Sequence, residues 1–156
     1  MNVQWKKLLI SLGIPLAVGG LSALLSGGMD AYQTVNQPPL SPPGWVFPVV
    51  WTVLYLAMGY AGYRVLTSGA AQSAVFRALG LYGIQLALNF IWSPVFFGLN
   101  WYLVAFLILI AMWVLIYLTM QAFGRIDEAA GNLLLPYLLW VTFAGYLNFG
   151  VYVLNP

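Results

Sequence analysis

The sequence predicts an all-α integral membrane protein, a bundle of five transmembrane helices with a proline-rich outer lid loop between helices one and two. Of the 156 residues, 63% are hydrophobic and only 5% are charged, whereas about 25% of the residues in a typical soluble domain are charged. The chain also contains five stretches that approach or exceed the ~20 apolar residues needed to cross a bilayer as a helix. Composition and span length together predict a single membrane domain over residues 1–156.

The predicted spans are separated by segments of turn-forming or polar residues. Glycines and prolines fill the first gap, small polar residues the second, a Gly-Leu-Asn turn the third, and a segment with two of the three acidic residues the fourth. The first span also resembles a signal peptide, but its apolar run is longer than the ~7–15 residues typical of one. The predicted spans are residues 8–26, 45–66, 75–97, 101–123 and 133–154.

The longest connection, residues 27–44, joins the first two spans and contains Pro38, Pro39, Pro42 and Pro43. Proline fixes its own backbone and restricts the residue before it. We therefore expect this connection to form a semi-rigid cover, the lid loop, over one end of the bundle.

All basic residues fall on one side of the predicted membrane. Five spans place the N terminus, the second connection and the fourth connection on the same side, and cytoplasmic segments are enriched in Lys and Arg. We predict a cytoplasmic N terminus and an outward-facing lid loop. The basic residues are Lys6, Lys7, Arg64, Arg77 and Arg125.

The sequence lacks both Cys and His. Disulfides, thiolate ligands and Cys nucleophiles are therefore excluded, and so are the commonest metal ligand and the commonest general base. We predict no metal site, no bound cofactor and no catalytic residue of the acid–base type.

Three predicted helices each carry a Trp on the same face as an amide, hydroxyl or small residue. Positions three or four apart share a helix face, and such faces can enclose a flat apolar ligand. The alternative is that the aromatic residues form interfacial belts and the amides hold helices together for ~0.6–2 kcal/mol. The three faces are Trp51, Tyr55 and Gly59; Gln85, Asn89 and Trp92; and Trp140, Ala144 and Asn148, with Tyr137 one turn before Trp140.

Three blocks of sequence resemble the TspO/MBR family, which comprises translocator proteins and tryptophan-rich sensory proteins. The blocks follow one another in the family's order and extend over nearly the whole chain. They are PPGWV at residues 42–46 with Trp51, QLALNFIWSPVFFG at residues 85–98, and PYLLW at residues 136–140 with Asn148.

The resemblance implies a bacterial inner-membrane protein, usually a homodimer, that binds porphyrins and other lipophilic ligands. Animal members bind cholesterol and benzodiazepine-type compounds, but the basic residue that ends their sterol-associated pattern is replaced here by Val-Leu-Asn-Pro. We predict a membrane receptor or sensor for tetrapyrroles. The alternatives are a transporter of porphyrin or another lipophilic molecule, and an enzyme that degrades porphyrin in light.

The helix faces and the resemblance together give a set of candidate site residues. For the dimer interface, small residues on the third helix allow close approach of a second backbone, with packing inside one bundle as the alternative. The candidate interface residues are Gly80, Gly83 and Ala87. The candidate ligand-binding residues are Tyr32, Trp51, Tyr55, Asn89, Trp92, Tyr137, Trp140, Ala144, Leu147 and Asn148.

Overall fold

The computed structural model describes residues 2–28 and 30–156, with the backbone alone for residues 30 and 31. Five helical stretches within these ranges are long and apolar enough to cross a membrane, which confirms the predicted five-helix membrane bundle. The helices are α1 (Trp5–Ser26), α2 (Asp30–Thr34), α3 (Val46–Leu66), α4 (Gln72–Ser93, extended by a π-helical turn over Pro94–Gly98), α5 (Tyr102–Ile126), α6 (Glu128–Leu133) and α7 (Leu135–Leu154).

The helices differ from the predicted spans mainly at their ends. Helix α1 begins three residues early at Trp5 and α5 continues to Ile126, because polar residues beyond an apolar run can remain helical outside the hydrocarbon layer. The five-residue helix α2 lies inside the predicted lid loop, and it is too short to produce a periodic sequence signal. The last span is preceded by the short helix α6.

Helices α1 and α3 pack closely because glycine stands at two crossing points. An added Cβ at Gly59 would lie 2.6 Å from the Ser11 carbonyl oxygen and 2.9 Å from Leu12 Cα. Pro15 cannot donate the hydrogen bond that the Ser11 carbonyl would otherwise accept within α1. One helical turn before Gly59, the Tyr55 ring of α3 fills the space that a side chain at Gly19 of α1 would need.

The π-helical end of α4 begins at Pro94, which cannot donate to the carbonyl of Phe90 four residues earlier. The Ser22 hydroxyl of α1 donates to that carbonyl at 2.8 Å. Beyond Pro94, the Leu99 N–H donates to the Pro94 carbonyl at 2.9 Å, five residues back, as a π-turn requires. A serine of α1 therefore satisfies the backbone group that the proline of α4 exposes.

An ion pair holds the opposite end of the bundle. Arg64 at the end of α3 donates to both carboxylate oxygens of Asp127, at 3.0 and 3.3 Å, and Asp127 also caps α6. Partial burial opposes ionisation of Asp127, but hydrogen bonds from Arg64 and from the Ala130 and Ala129 N–H groups outweigh it, so the pKa of Asp127 lies below its usual value.

The lowered pKa fixes how this ion pair depends on pH. Its contribution is fully present above the unfolded-state pKa of Asp127 and is lost as pH falls through the lower folded-state pKa. Because both side chains are partly exposed, we expect the contribution to stay below about 1 kcal/mol.

The connection from α2 to α3, residues 35–45, is fastened to the end of α7. The Asn36 N–H donates to the Asn155 side-chain oxygen at 3.0 Å, and the Asn155 amide donates back to the Asn36 carbonyl at 2.8 Å. Pro38 fills the space above Gly150, and the Tyr146 hydroxyl donates to the Pro39 carbonyl at 2.6 Å. These contacts fix the position of the connection relative to α7.

The close crossing of α1 and α3 predicts that Gly59→Ala is destabilising. The new methyl group would meet backbone atoms, which cannot move aside as a flexible side chain can. We expect the free energy of unfolding to fall by ~1–3 kcal/mol, measured by SDS titration in mixed micelles. Gly13→Ala is the matched control, because a Cβ there meets nothing within 4 Å. Equal stability of the two variants would contradict the close crossing.

Candidate ligand-binding site

A cavity of about 340 Å³ lies between α1, α3 and α4, in the half of the bundle that carries the α2–α3 connection. Helices α3 and α4 contribute aromatic rings, and α1 contributes small residues. The volume is at the lower end of the ~300–1,000 Å³ typical of small-molecule sites. The residues lining the cavity are Leu16, Gly19, Gly20, Ser22, Ala23, Ser26, Gly28, Phe47, Pro48, Trp51, Thr52, Tyr55, Asn89, Trp92, Ser93 and Phe97.

Ring contacts organise the aromatic wall of the cavity. Trp51 stacks on Tyr55 with ring centroids 5.5 Å apart and planes 27° apart. Trp51 also lies 6.5 Å from Trp92, whose ring meets Phe97 edge to face at 5.9 Å. Such arrangements contribute ~0.5–1.5 kcal/mol per pair beyond their buried area. The wall presents ring faces and edges from two helices to the cavity.

A chain of buried hydrogen bonds runs from the cavity wall into the bundle. The Tyr55 hydroxyl donates to the Asn89 side-chain oxygen at 2.8 Å, and the Asn89 amide donates to the Tyr137 hydroxyl at 2.7 Å. The Tyr137 hydroxyl donates in turn to Gln85 Oε1 at 2.6 Å. Asn89 therefore uses both ends of its amide within the protein.

A separate pair of hydrogen bonds fixes Trp92, the second tryptophan of the wall. Trp92 Nε1 donates to Asn148 Oδ1 at 3.0 Å, and the Asn148 amide donates to the Tyr102 carbonyl at 2.9 Å. Trp92 and Asn148 are both buried. Helix α7 thus holds the indole of Trp92 in one orientation without reaching the cavity.

Of the candidate ligand-binding residues, the structure places four on the cavity surface: Trp51, Tyr55, Asn89 and Trp92. The other six lie outside the cavity lining, in α2 and α7. They are Tyr32, Tyr137, Trp140, Ala144, Leu147 and Asn148.

Several of these six residues contact the lining from behind. Tyr137 meets Trp51 edge to face at 6.0 Å, and Trp140 meets Phe47 in the same way at 6.0 Å. Tyr32 packs against both Phe47 and Phe97, with ring centroids 5.6 and 5.7 Å away. These three residues therefore influence the shape of the cavity by packing against the rings that line it.

The contribution of α1 to the cavity was not predicted from the sequence. Gly19, Ser22, Ala23 and Ser26 line the cavity, and their spacing of three and four residues places them on one helix face. That spacing is visible in the sequence as a stripe of small residues, the type that lets helices approach closely in membranes. Ser26 also shares a hydrogen bond of 2.7 Å with Ser93 of α4.

The candidate dimer residues lie on an open face of α4. Gly80, Gly83 and Ala87 are exposed, and a Cβ added at either glycine would meet nothing within 4 Å. The neighbouring Ile84 is 54% exposed. Packing within the single bundle, the alternative reading of this stripe, does not occur in the described residues.

The fold and the comparisons with known proteins together identify the kind of protein. Five spanning helices make it a multi-pass α-helical membrane protein. The model of the TspO/MBR family matches residues 11–154, and the chain belongs to this family.

The curated relatives include bacterial and animal proteins. The tryptophan-rich protein TspO of Chlorobaculum tepidum is 41% identical over 158 residues, covering 100% of both chains. The tryptophan-rich sensory protein of Cereibacter sphaeroides is 40% identical, covering 99% of this chain and 95% of its own. The translocator protein of Bos taurus is 40% identical, covering 78% of this chain and 73% of its own.

The hydrogen-bond chain predicts that Tyr137→Phe is destabilising. The change leaves the Asn89 amide and Gln85 Oε1 without their partner in a buried site, which costs ~1–3 kcal/mol. We expect a corresponding fall in the free energy of unfolding in SDS titrations. Tyr117→Phe, which removes a hydroxyl from the exposed face of α5, serves as the control. Unchanged stability of Tyr137→Phe would show that these hydrogen bonds contribute little to the free energy of unfolding.

Proposed function

We propose that the protein is a membrane receptor or sensor that binds porphyrins and other flat, lipophilic ligands in the cavity between α1, α3 and α4. The observation that carries the proposal is the aromatic wall of Trp51, Tyr55 and Trp92 facing the small residues of α1. A flat conjugated ring gains stacking energy against such a wall, and the small residues leave room on its other face.

The lining supports binding rather than acid–base chemistry. Among the lining residues that the structure describes, Tyr55 has the one ionisable side chain, and the Tyr55 hydroxyl already donates to Asn89. General acid–base catalysis needs a positioned group that titrates near the working pH. The cavity therefore offers stacking surfaces and a few hydroxyl and amide groups, which are sufficient for recognition.

Helix α2, which carries Tyr32, is suited to act with the following connection as a lid that responds to a ligand in the cavity. Tyr32 packs on Phe47 and Phe97, both of which line the cavity. A ligand that displaces either ring would also move Tyr32. Because Asn36 and Pro38 fasten the connection to α7, this movement would change the surface at that end of the bundle.

We further propose that the protein resides in the inner membrane of a bacterium with its N terminus in the cytoplasm. Lys6, Lys7, Arg64, Arg77 and Arg125 lie at one end of the spanning helices, and basic residues are enriched on the cytoplasmic side. The cavity and the lid then belong to the outer half of the membrane.

Quenching of intrinsic Trp fluorescence by protoporphyrin in detergent tests the proposed function. We expect saturable quenching with a Kd in the micromolar range, and a Kd about tenfold higher for Trp51→Leu, equivalent to about 1.4 kcal/mol of lost stacking and contact. Because removal of a Trp lowers the starting signal, Kd is taken from the curve shape and checked by porphyrin absorbance.

Trp113→Leu is the control for this experiment, since Trp113 lies on α5, away from the cavity lining. Trp113→Leu should bind like the wild type. Linear quenching that is the same in all three proteins would mean that porphyrin partitions into the micelle, and would refute binding in the cavity.

We also propose a homodimer through the exposed stripe of Gly80, Gly83 and Ala87. The protein contains no native Cys, so a single introduced Cys reports one contact. We expect Gly83→Cys to form an intermolecular disulfide in native membranes under mild oxidation, and Leu107→Cys on the exposed face of α5 to form little. Equal cross-linking at both positions would indicate random collision and count against this interface.

A further inference from the structure

We propose that a groove between α5 and α7 binds an acyl chain of a membrane phospholipid. The groove has a volume of about 350 Å³. In the described part of the protein it shares no lining residue with the cavity between α1, α3 and α4, so this site is independent of the proposed function. The direction in which the groove opens, the partners of its polar atoms and its depth in the membrane all indicate this occupant.

The groove opens between two membrane spans. Leu109 of α5 and Val141 of α7 form its floor and are only 2% and 1% exposed, whereas Ile110 and Phe149 along its rim are about half exposed. Both helices are long and apolar enough to cross the bilayer. The rim residues therefore meet the hydrocarbon layer, which excludes water. Acyl chains are thus the molecules present at the opening.

The polar atoms of the lining already have partners within the protein. Trp113 Nε1 donates to the Thr142 hydroxyl at 2.8 Å, and that hydroxyl donates to the Leu138 carbonyl at 2.8 Å. The Tyr146 hydroxyl donates to the Pro39 carbonyl at 2.6 Å. A ligand that brought polar groups into the groove would bury them with few partners, which costs free energy. A hydrocarbon chain avoids this cost.

The groove lies at the depth of the acyl chains on one side of the membrane. Trp101 and Tyr102 stand at the start of α5, and aromatic residues are enriched at the membrane–water interface. At about 1.5 Å per residue, the lining of α5 extends from ~6 Å below this start, at Phe106, to ~17 Å, at Trp113. One half of the hydrocarbon core is ~15 Å thick. An acyl chain that descends from this surface can therefore lie along the groove.

Glycine at position 145 keeps the groove open. Gly145 of α7 is a lining residue, and an added Cβ there would make an ordinary contact with Leu109 Cδ2 at 3.7 Å. Phe106 and Phe149, with ring centroids 5.2 Å apart, line the end of the groove nearer the membrane surface. An acyl chain would gain many small dispersion contacts with these rings and with the backbone at Gly145. A larger side chain at position 145 would occupy this space without striking backbone atoms.

Photolabelling from the lipid tests the proposal. The wild-type protein is placed in nanodiscs of phosphatidylcholine, a small fraction of which carries a diazirine in the middle of one acyl chain. Labelled residues are identified by mass spectrometry after irradiation. Leu21 and Leu24, which are 56% and 79% exposed at the same end of the bundle on α1, report ordinary lipid contact. We expect severalfold more label on residues 106–113 and 141–149, because an acyl chain held in the groove stays near them longer.

Variants at position 145 show whether the label depends on the shape of the groove. Gly145→Leu fills the groove, so we expect its labelling to fall to the level of Leu21 and Leu24, whose own labelling stays unchanged. Gly145→Ala should give a smaller fall, which separates filling of the groove from loss of the fold. Gly13→Leu is the matched control and should label like the wild type, because Gly13 is exposed on α1 and a Cβ there meets nothing within 4 Å.

Three results would overturn the proposal. Equal labelling of the groove and of Leu21 and Leu24 would mean that α5 and α7 meet only the ordinary lipid layer. Labelling of the groove below that of these leucines would mean that protein, such as a second copy of the chain, covers it. Strong labelling that Gly145→Leu leaves unchanged would mean that the label comes from lipid outside the groove.

Discussion

The arrangement of the cavity helices depends on one backbone carbonyl that Pro94 leaves without its usual donor. In the hydrocarbon layer an unpaired carbonyl costs several kcal/mol, so a partner must come from elsewhere in the protein. The Ser22 hydroxyl supplies that partner to Phe90, and Ser26 adds a hydrogen bond to Ser93 one turn further along. These two bonds join α1 to α4, and the cavity lies between that junction and α3.

The same requirement explains why the side chains of the cavity wall are held in fixed orientations. Tyr55, Asn89 and Trp92 could each offer a polar atom to a ligand, but internal partners already use those atoms. The rings are thereby held in fixed positions and present their apolar faces. Under the proposed function, such a wall would recognise shape and stacking more than hydrogen-bonding pattern, and it would accept ligands that share a flat shape rather than functional groups.

The sequence predicted the spans because hydropathy over twenty residues is a strong signal, and it predicted a shared face for Asn89 and Trp92 because spacing along one helix determines which side chains lie together. The sequence could not predict which of the candidate residues lie on the cavity surface and which lie behind it. Trp140 shares a helix face with Ala144 and Asn148, as the lining residues share faces on their own helices, but Trp140 lies behind Phe47. The face of α7 that meets the cavity depends on how α7 is rotated against α3. Helical periodicity contains no information about that rotation.

Helix α1 is the least enclosed wall of the cavity, with only Pro15, Ser22 and Ser26 buried. Helix α7, which supports the opposite side, buries seven residues and supplies the partners of Asn89 and Trp92. Under the proposed function, the wall supported by α7 would set which ligand fits, while α1 closes the other side of the cavity through its serine bonds and close glycine contacts. Recognition and closure would then belong to different helices of the same cavity.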